Sequence, residues 1–151
     1  MKDLRKIIEE CLSKTRTMQV ATCVNNKPWN CTVYYAYDDD FNFYWISKPS
    51  ARHSKEIKKN PNVAGVIAYN QQPLHQAVRG LQFEGIAELL KGSEEEKASK
   101  FYIKQLDREE TLLKDIQSGK NPHRFYRIKT SKFVLFDPVN FPDNERQEYK
   151  L

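Results

Sequence analysis

Residues 47–53, SKPSARH, bring two hydroxyls, two cations and an imidazole within one turn of chain. They follow FYWIS at 43–47, which has the apolar density of a buried strand. They open a stretch at about 50–60 that reads as a helix, ended by Asn60-Pro61 where proline forbids continuation. A strand that delivers Ser47 and Lys48 to the start of a helix builds an anion site. The first helical N–H groups point outward without partners, and the helix dipole favours negative charge there. Arg52 adds a fork suited to a phosphate. The chemistry expected of this turn is recognition of a phosphorylated ligand. The competing account is a solvated, basic helix start that holds nothing.

Other reactive residue types group less well. Asp38, Asp39 and Asp40 are adjacent, but no further spaced acids follow, so they read as a solvated hairpin tip rather than a cation site. His75 and His123 fall in loops and read as surface or structural residues, and Lys55 reads as part of the solvated face of its helix. Cys11, Cys23 and Cys31 form no C-x-x-C pair and suit neither a zinc site nor a disulfide framework; they read as reduced thiols. A facing Cys23–Cys31 pair across a hairpin is the redox alternative. No metal site is expected.

The 151 residues are enough for one domain, 1–151, with a real core. No apolar run approaches the roughly 20 residues of a membrane span, and the charged N-terminus is unlike a signal peptide. A cytoplasmic protein is expected. A net charge of +5 suits an anionic small ligand and tolerates weak nucleic-acid contact, but no nucleic-acid-binding signature accompanies it.

The elements that must position the turn follow from periodicity. Asp3 caps a helix with Leu4, Ile7, Ile8, Cys11 and Leu12 on one face. Met18, Val20, Thr22 and Val24 alternate in strand period, a turn at 25–28 follows, and 29–37 is rich in aromatic and β-branched residues. Strands are expected at 41–47, 63–69, 78–90, 125–129 and 132–137, with bulges or close approach at Gly80 and Gly85. Ser93 and Glu96 suggest a capping box for a helix to about 105, and Leu112, Leu113 and Ile116 a short second one. The polar tail from Pro138 is expected on the surface or on a partner. A meander of curved strands flanked by helices argues for an α+β split β-barrel, mostly antiparallel. Rossmann, P-loop, nucleophile-elbow and H-E-x-x-H patterns are absent.

Three stretches in this order, MQVATCVNNKPWNCTVYYAY, FYWISKPSARHSKEIKKNPNVAGVI and VRGLQFEGIAEL, resemble the pyridoxamine 5'-phosphate oxidase-like family of FMN-binding split barrels. The likeness runs from about Leu4 to Leu90. It implies a homodimer with FMN at the subunit interface, and an oxidoreductase for a small-molecule substrate or nicotinamide donor. By the same resemblance Arg52 and His53 take the place of the family's phosphate-gripping basic pair, whose second member is more often Lys or Arg. Ser47 matches a hydroxyl near the phosphate and ribityl chain, with Ile46 lending backbone. Asn30, Cys31, Thr32 and Val33 match the strand lining the flavin ring. Gly80 stands where some members place a glutamine from the other subunit, and Gln82 is the substitute. The chain ends NFPDNERQEYKL, without the family's substrate-binding Arg-x-His element, so vitamin B6 oxidation is not implied; Arg146 is a tail candidate for the neighbouring site. The alternatives are a non-enzymatic flavin-, deazaflavin- or haem-binding protein on this fold, and a basic interaction module without cofactor.

Overall fold

Strand-period alternation in the first half of the chain produces two antiparallel hairpins that come to lie at opposite ends of one curled sheet. The computed structural model describes residues 2–151. In chain order they form α1 (Leu4–Ser13), β1 (Thr17–Val24), β2 (Lys27–Tyr34), β3 (Ala36–Tyr37), β4 (Phe43–Ser47), α2 (Arg52–Lys59), β5 (Asn62–Ala68) and β6 (Gly80–Leu89). Then come α3 (Ser93–Leu106), α4 (Leu112–Gln117), β7 (Arg124–Phe136) and β8 (Arg146–Lys150). The strands make one antiparallel sheet in the order β2-β1-β5-β6-β7-β4-β3, with β8 added to β7. The fold is α+β, a curled antiparallel half-barrel carrying four helices.

The concave face of the sheet holds the main core. Met18 and Val20 of β1, Phe43 and Trp45 of β4, Leu81 and Phe83 of β6, and Phe133 of β7 close around Ile8, Cys11 and Leu12 of α1. That explains the apolar stripe of α1: it plugs the barrel, with Asp3 accepting from the Lys6 amide at its start. A second core lies on the other side of β4, where Tyr44 and Phe125 meet Ala98 and Tyr102 of α3 and Leu112 and Ile116 of α4. Strand β4 is therefore covered on both faces, which is why it reads as an unbroken apolar run.

Several sequence expectations change. The strand expected at 29–37 is two strands, because Tyr35 turns inward, its hydroxyl bonded to Thr15 Oγ1 and donating to the Leu12 carbonyl. The strands expected at 125–129 and 132–137 are one, β7, whose first half pairs with β4 and second half with β8. The tail does lie on the surface, with Arg146, Glu148 and Lys150 exposed, but Arg146–Lys150 is a strand that adds to the sheet beside β7. The capping box fails: α3 starts after Gly92, and Ser93 is already helical. Asp38 is no solvated tip either. It is 5% exposed, and it accepts from Asn42, from the Tyr44 hydroxyl and from the Asp40 and Asn42 amides.

The two glycines of β6 are two distinct devices. Gly85 sits at the register shift in β6, where an added Cβ would lie 2.4 Å from the Lys129 carbonyl oxygen. Gly80 is unbulged but closely approached, its Cβ position lying 2.5 Å from the Ile67 oxygen.

Beyond β7, Asp137 is fully buried and closes the far end of the barrel. It receives both Nε and Nη2 of Arg79 at 3.1 Å and the Asn140 side chain at 2.7 Å. Burial opposes its charge, but the Arg79 and Asn140 hydrogen bonds prevail and hold its carboxyl below the usual range. The folded value lies below the unfolded one of about 3.9, so this contribution is present above that pH and is lost as pH falls through the folded value.

Three outcomes are expected. Asp137→Ala should cost about 2–4 kcal/mol in denaturant unfolding, and Asp137→Asn should flatten the loss of stability on acidification below about pH 4. Gly85→Val should cost about 1–3 kcal/mol through overpacking, read as a lower unfolding midpoint with unchanged slope.

Candidate functional site

Ser47 ends β4 at a position set by the strand's alternation. Trp45 faces the main core and Ile46 the helical side, so Ser47 returns to the Trp45 side, 6% exposed. There Trp45 Nε1 donates to Ser47 Oγ at 3.1 Å, and Ser47 Oγ lies 2.7 Å from His53 Nε2. Burial pushes the His53 imidazole below its ordinary value, against the charge of Glu56. A neutral ring lets the Ser47 hydroxyl donate to Nε2, giving a relay from Trp45 through Ser47 to His53.

Arg52 is the first residue of α2, two later than the sequence suggested, because Ala51 is still extended with ψ 149°. Its Nε donates to Glu56 Oε2 at 2.7 Å, and its guanidinium stacks on Trp29 of β2 at 4.1 Å from the ring centroid. Glu56 also accepts from Thr22 Oγ1 at 3.1 Å. The Arg52 hydrogen bond is the main reason its carboxyl lies below the usual range. The arginine is thus fixed through Nε and its flat face, while its terminal nitrogens meet no acceptor among the described residues. The helix start beside it has no side-chain cap and no acid in its first turn. Such an end, with a held guanidinium and a nearby imidazole, is suited to a dianion.

A cleft of about 450 Å³ opens near this turn, between the end of β2 and the loops of the helical insertion. Thr32 and Val33 of β2 and Ile46 of β4 line one side, and Tyr102, Arg108 and His123 the other. The Asn121 side-chain oxygen lies 2.7 Å from His123 Nδ1 and accepts from the His123 amide at 3.0 Å. Burial, then the charges of Lys48 and Arg108, push the His123 ring below its ordinary value. With Nδ1–H directed to Asn121, Nε2 is left as an acceptor. Arg108 is braced by Glu109 at 3.1 Å.

The residues singled out from the sequence therefore separate. Ser47, Arg52 and His53 meet at the helix start, and Thr32, Val33 and Ile46 share the adjacent cleft. Asn30 and Gln82 lie elsewhere, in a cleft of about 360 Å³ on the outer face of the sheet, together with Arg146 of β8. Cys31 packs against the main core. The facing Cys23–Cys31 pair does not form: Cys31 pairs with Val20 and Cys23 with Pro28, so strand alternation puts the thiols on opposite faces. All three cysteines are free. Arg108 and Asn121 were not recognised in the sequence, and His123 was read as structural; the Asn-Pro-His run at 121–123 was the available signal. Among the described residues no group of three or more His, Cys, Asp or Glu is placed to hold a metal, and no helix is long and apolar enough to cross a membrane.

Comparison with known proteins agrees with the fold. The model of the pyridoxamine 5'-phosphate oxidase family matches residues 4–135. A UPF0306 protein of Klebsiella pneumoniae is 31% identical over 105 residues, covering 68% of this chain and 70% of that one. Among solved structures, General Stress Protein 26 of Bacillus anthracis superposes with a TM-score of 0.71 at 19% identity, covering 98% of each chain. A haem-binding protein of Mycobacterium smegmatis superposes with a TM-score of 0.74 at 13% identity. It covers 99% of this chain, which spans only 59% of that longer protein. At these identities the structures speak to the fold, whereas the family model spans most of the sequence. The chain belongs to the pyridoxamine 5'-phosphate oxidase family.

Proposed function

We propose that this protein binds FMN and acts as a flavin-dependent oxidoreductase on a substrate still to be identified. The observation that carries the proposal is the uncapped start of α2, where Arg52 is pre-positioned by Glu56 and Trp29 with its terminal nitrogens unengaged. The phosphate would sit there, with His53 and Ser47 alongside. The ring would lie along Thr32, Val33 and Ile46 in the neighbouring cleft, whose walls offer both apolar and polar groups. Bound flavin supplies the hydride- and electron-accepting chemistry. The chain's own residues bind, orient and shield it. Arg52 neutralises phosphate charge, the Trp45–Ser47–His53 relay holds the imidazole in place, and neutral His123 offers a proton acceptor at the cleft wall.

We further propose a homodimer, supported by the outer sheet face, where Val66, 38% exposed, lines the cleft that holds Asn30 and Gln82, and Ile86, further along β6, is 46% exposed. Pairing through this face would bring those two residues to the ligand of the other subunit. Free cysteines throughout favour the cytoplasm.

Purified protein should retain near-ultraviolet and blue flavin absorbance after FMN addition and desalting. Arg52→Ala should weaken FMN binding by about tenfold or more, consistent with loss of roughly 1.5–3 kcal/mol from charge-assisted hydrogen bonds. A colourless protein after reconstitution, or unchanged occupancy in the variant, would refute the assignment. A second reading, haem binding, is favoured by the likeness to the Mycobacterium smegmatis protein and by the acceptor nitrogen of His123 in the cleft. A Soret band that disappears in His123→Ala would establish it instead.

A further inference from the structure

Helical geometry gives α2 a second working face. Arg52 and Glu56 lie on one side, while Ser54, Ile57 and Lys58 lie on the other, one turn apart. This second side forms one wall of a cleft of about 560 Å³, whose opposite wall is the end of β6. The volume is within the range of small-molecule sites.

Its lining combines three kinds of group. The apolar part is Ile57, Ala87 and Leu89, with Leu89 left 38% exposed. The polar part is two hydroxyls on residues more than nine-tenths buried. Ser54 is 5% exposed and its Oγ has no hydrogen-bond partner. Tyr126 is 3% exposed, its ring stacked on Trp45 at 5.2 Å. Its hydroxyl makes no hydrogen bond among the described residues, but it is not sealed from solvent as the Ser54 oxygen is. Buried hydroxyls without partners are costly and uncommon, so the Ser54 oxygen calls for an external partner. The third part is charge. Lys55, Lys58 and Lys91 line the cleft, and none belongs to an ion pair among the described residues. The acid that also lines it, Glu88, is taken by Arg127 from the neighbouring strand. Three unpaired cations thus surround an apolar wall, the orphaned Ser54 hydroxyl and the Tyr126 hydroxyl.

We propose that this cleft is a binding site for an organic anion with an aromatic or short aliphatic body and a phosphate or carboxylate head. The body packs on Ile57, Ala87 and Leu89. The head meets the lysines, and the hydroxyls of Ser54 and Tyr126 take its remaining acceptors. The site lies on the other flank of α2 from Arg52, shares only Pro49 with the 47–53 turn, and does not depend on which cofactor is held there.

The test is a titration of the full chain, labelled with ¹⁵N, with 1-naphthyl phosphate, 1-naphthol and inorganic phosphate. Naphthyl phosphate should give saturable shifts at the amides of residues 54–58 and 87–91, and any accompanying shifts at the 47–53 turn should disappear in Arg52→Ala. Naphthol and phosphate should each bind about tenfold more weakly or worse, since each lacks half of the recognised chemistry. Lys58→Gln/Lys91→Gln should weaken the probe by about tenfold with an unchanged melting temperature, and Arg52→Ala should leave its affinity unaltered. No shifts at residues 54–58 and 87–91, equal affinity there in the double variant, or loss of those shifts in Arg52→Ala would overturn the proposal.

Discussion

Burial of β4 on both faces is the constraint on which the rest of the structure depends. Five residues, Phe43–Ser47, must satisfy two cores at once. Phe43 and Trp45 fill the barrel interior, while Tyr44 packs against Phe101 of α3, with rings 5.8 Å apart and nearly parallel. A slip of one residue would exchange these sets and bring Phe43 and Trp45 into a helical layer shaped for Tyr44. The register is therefore rigid, and with it the place where the chain leaves the sheet. Ser47 has no freedom to be anywhere but beside the Trp45 indole, and His53 arrives within reach of it because α2 begins five residues later.

The same rigidity gives the short helix α2 its importance. Eight residues form two turns, too few for a stable isolated helix, so its existence depends on docking against the sheet. Docking leaves its N-terminus uncapped and its two flanks on different surfaces. One flank, with Arg52 and Glu56, leans on Trp29 of the edge strand. The other, with Ser54 and Lys58, faces the end of β6. The absence of acids from the first turn leaves positive potential at the helix start uncompensated within the helix, and two lysines at the far end complement the dipole there. A basic chain gains ligand chemistry from this placement rather than from its net charge of +5, which alone specifies no site.

Much of the fold was legible because periodicity is a local signal. The alternation at 17–24, the apolar stripe of α1 and the Pro61 stop of α2 all translate directly into elements. What escaped was decided at long range. The tail at 146–150 alternates too weakly to announce a strand, and becomes one because β7 outruns β4 and presents an unpaired edge. Asp38 looks like a solvated acid beside Asp39 and Asp40, yet Tyr44 and Asn42 draw it inward. The candidate site divides in the same way. Ser47, Arg52 and His53 lie close in sequence, so their convergence was readable. Arg108, Asn121 and His123 reach the cleft through a helical insertion whose docking no local pattern encodes.

The sequence by itself determined the residue types, the strand and helix periods, the family, and the gathering of cations and hydroxyls at 47–53, since all of these rest on near neighbours along the chain. Only the tertiary structure decided which of those groups remain free. Glu56 holds Arg52 by its Nε, Ser47 is consumed between Trp45 and His53, and Asn30 and Gln82 are carried to the outer face of the sheet, away from the turn. The physical reason is that hydrogen bonds and burial are settled between elements distant in sequence. A side chain's chemistry is inherited from its type, but its availability depends on what the fold packs against it.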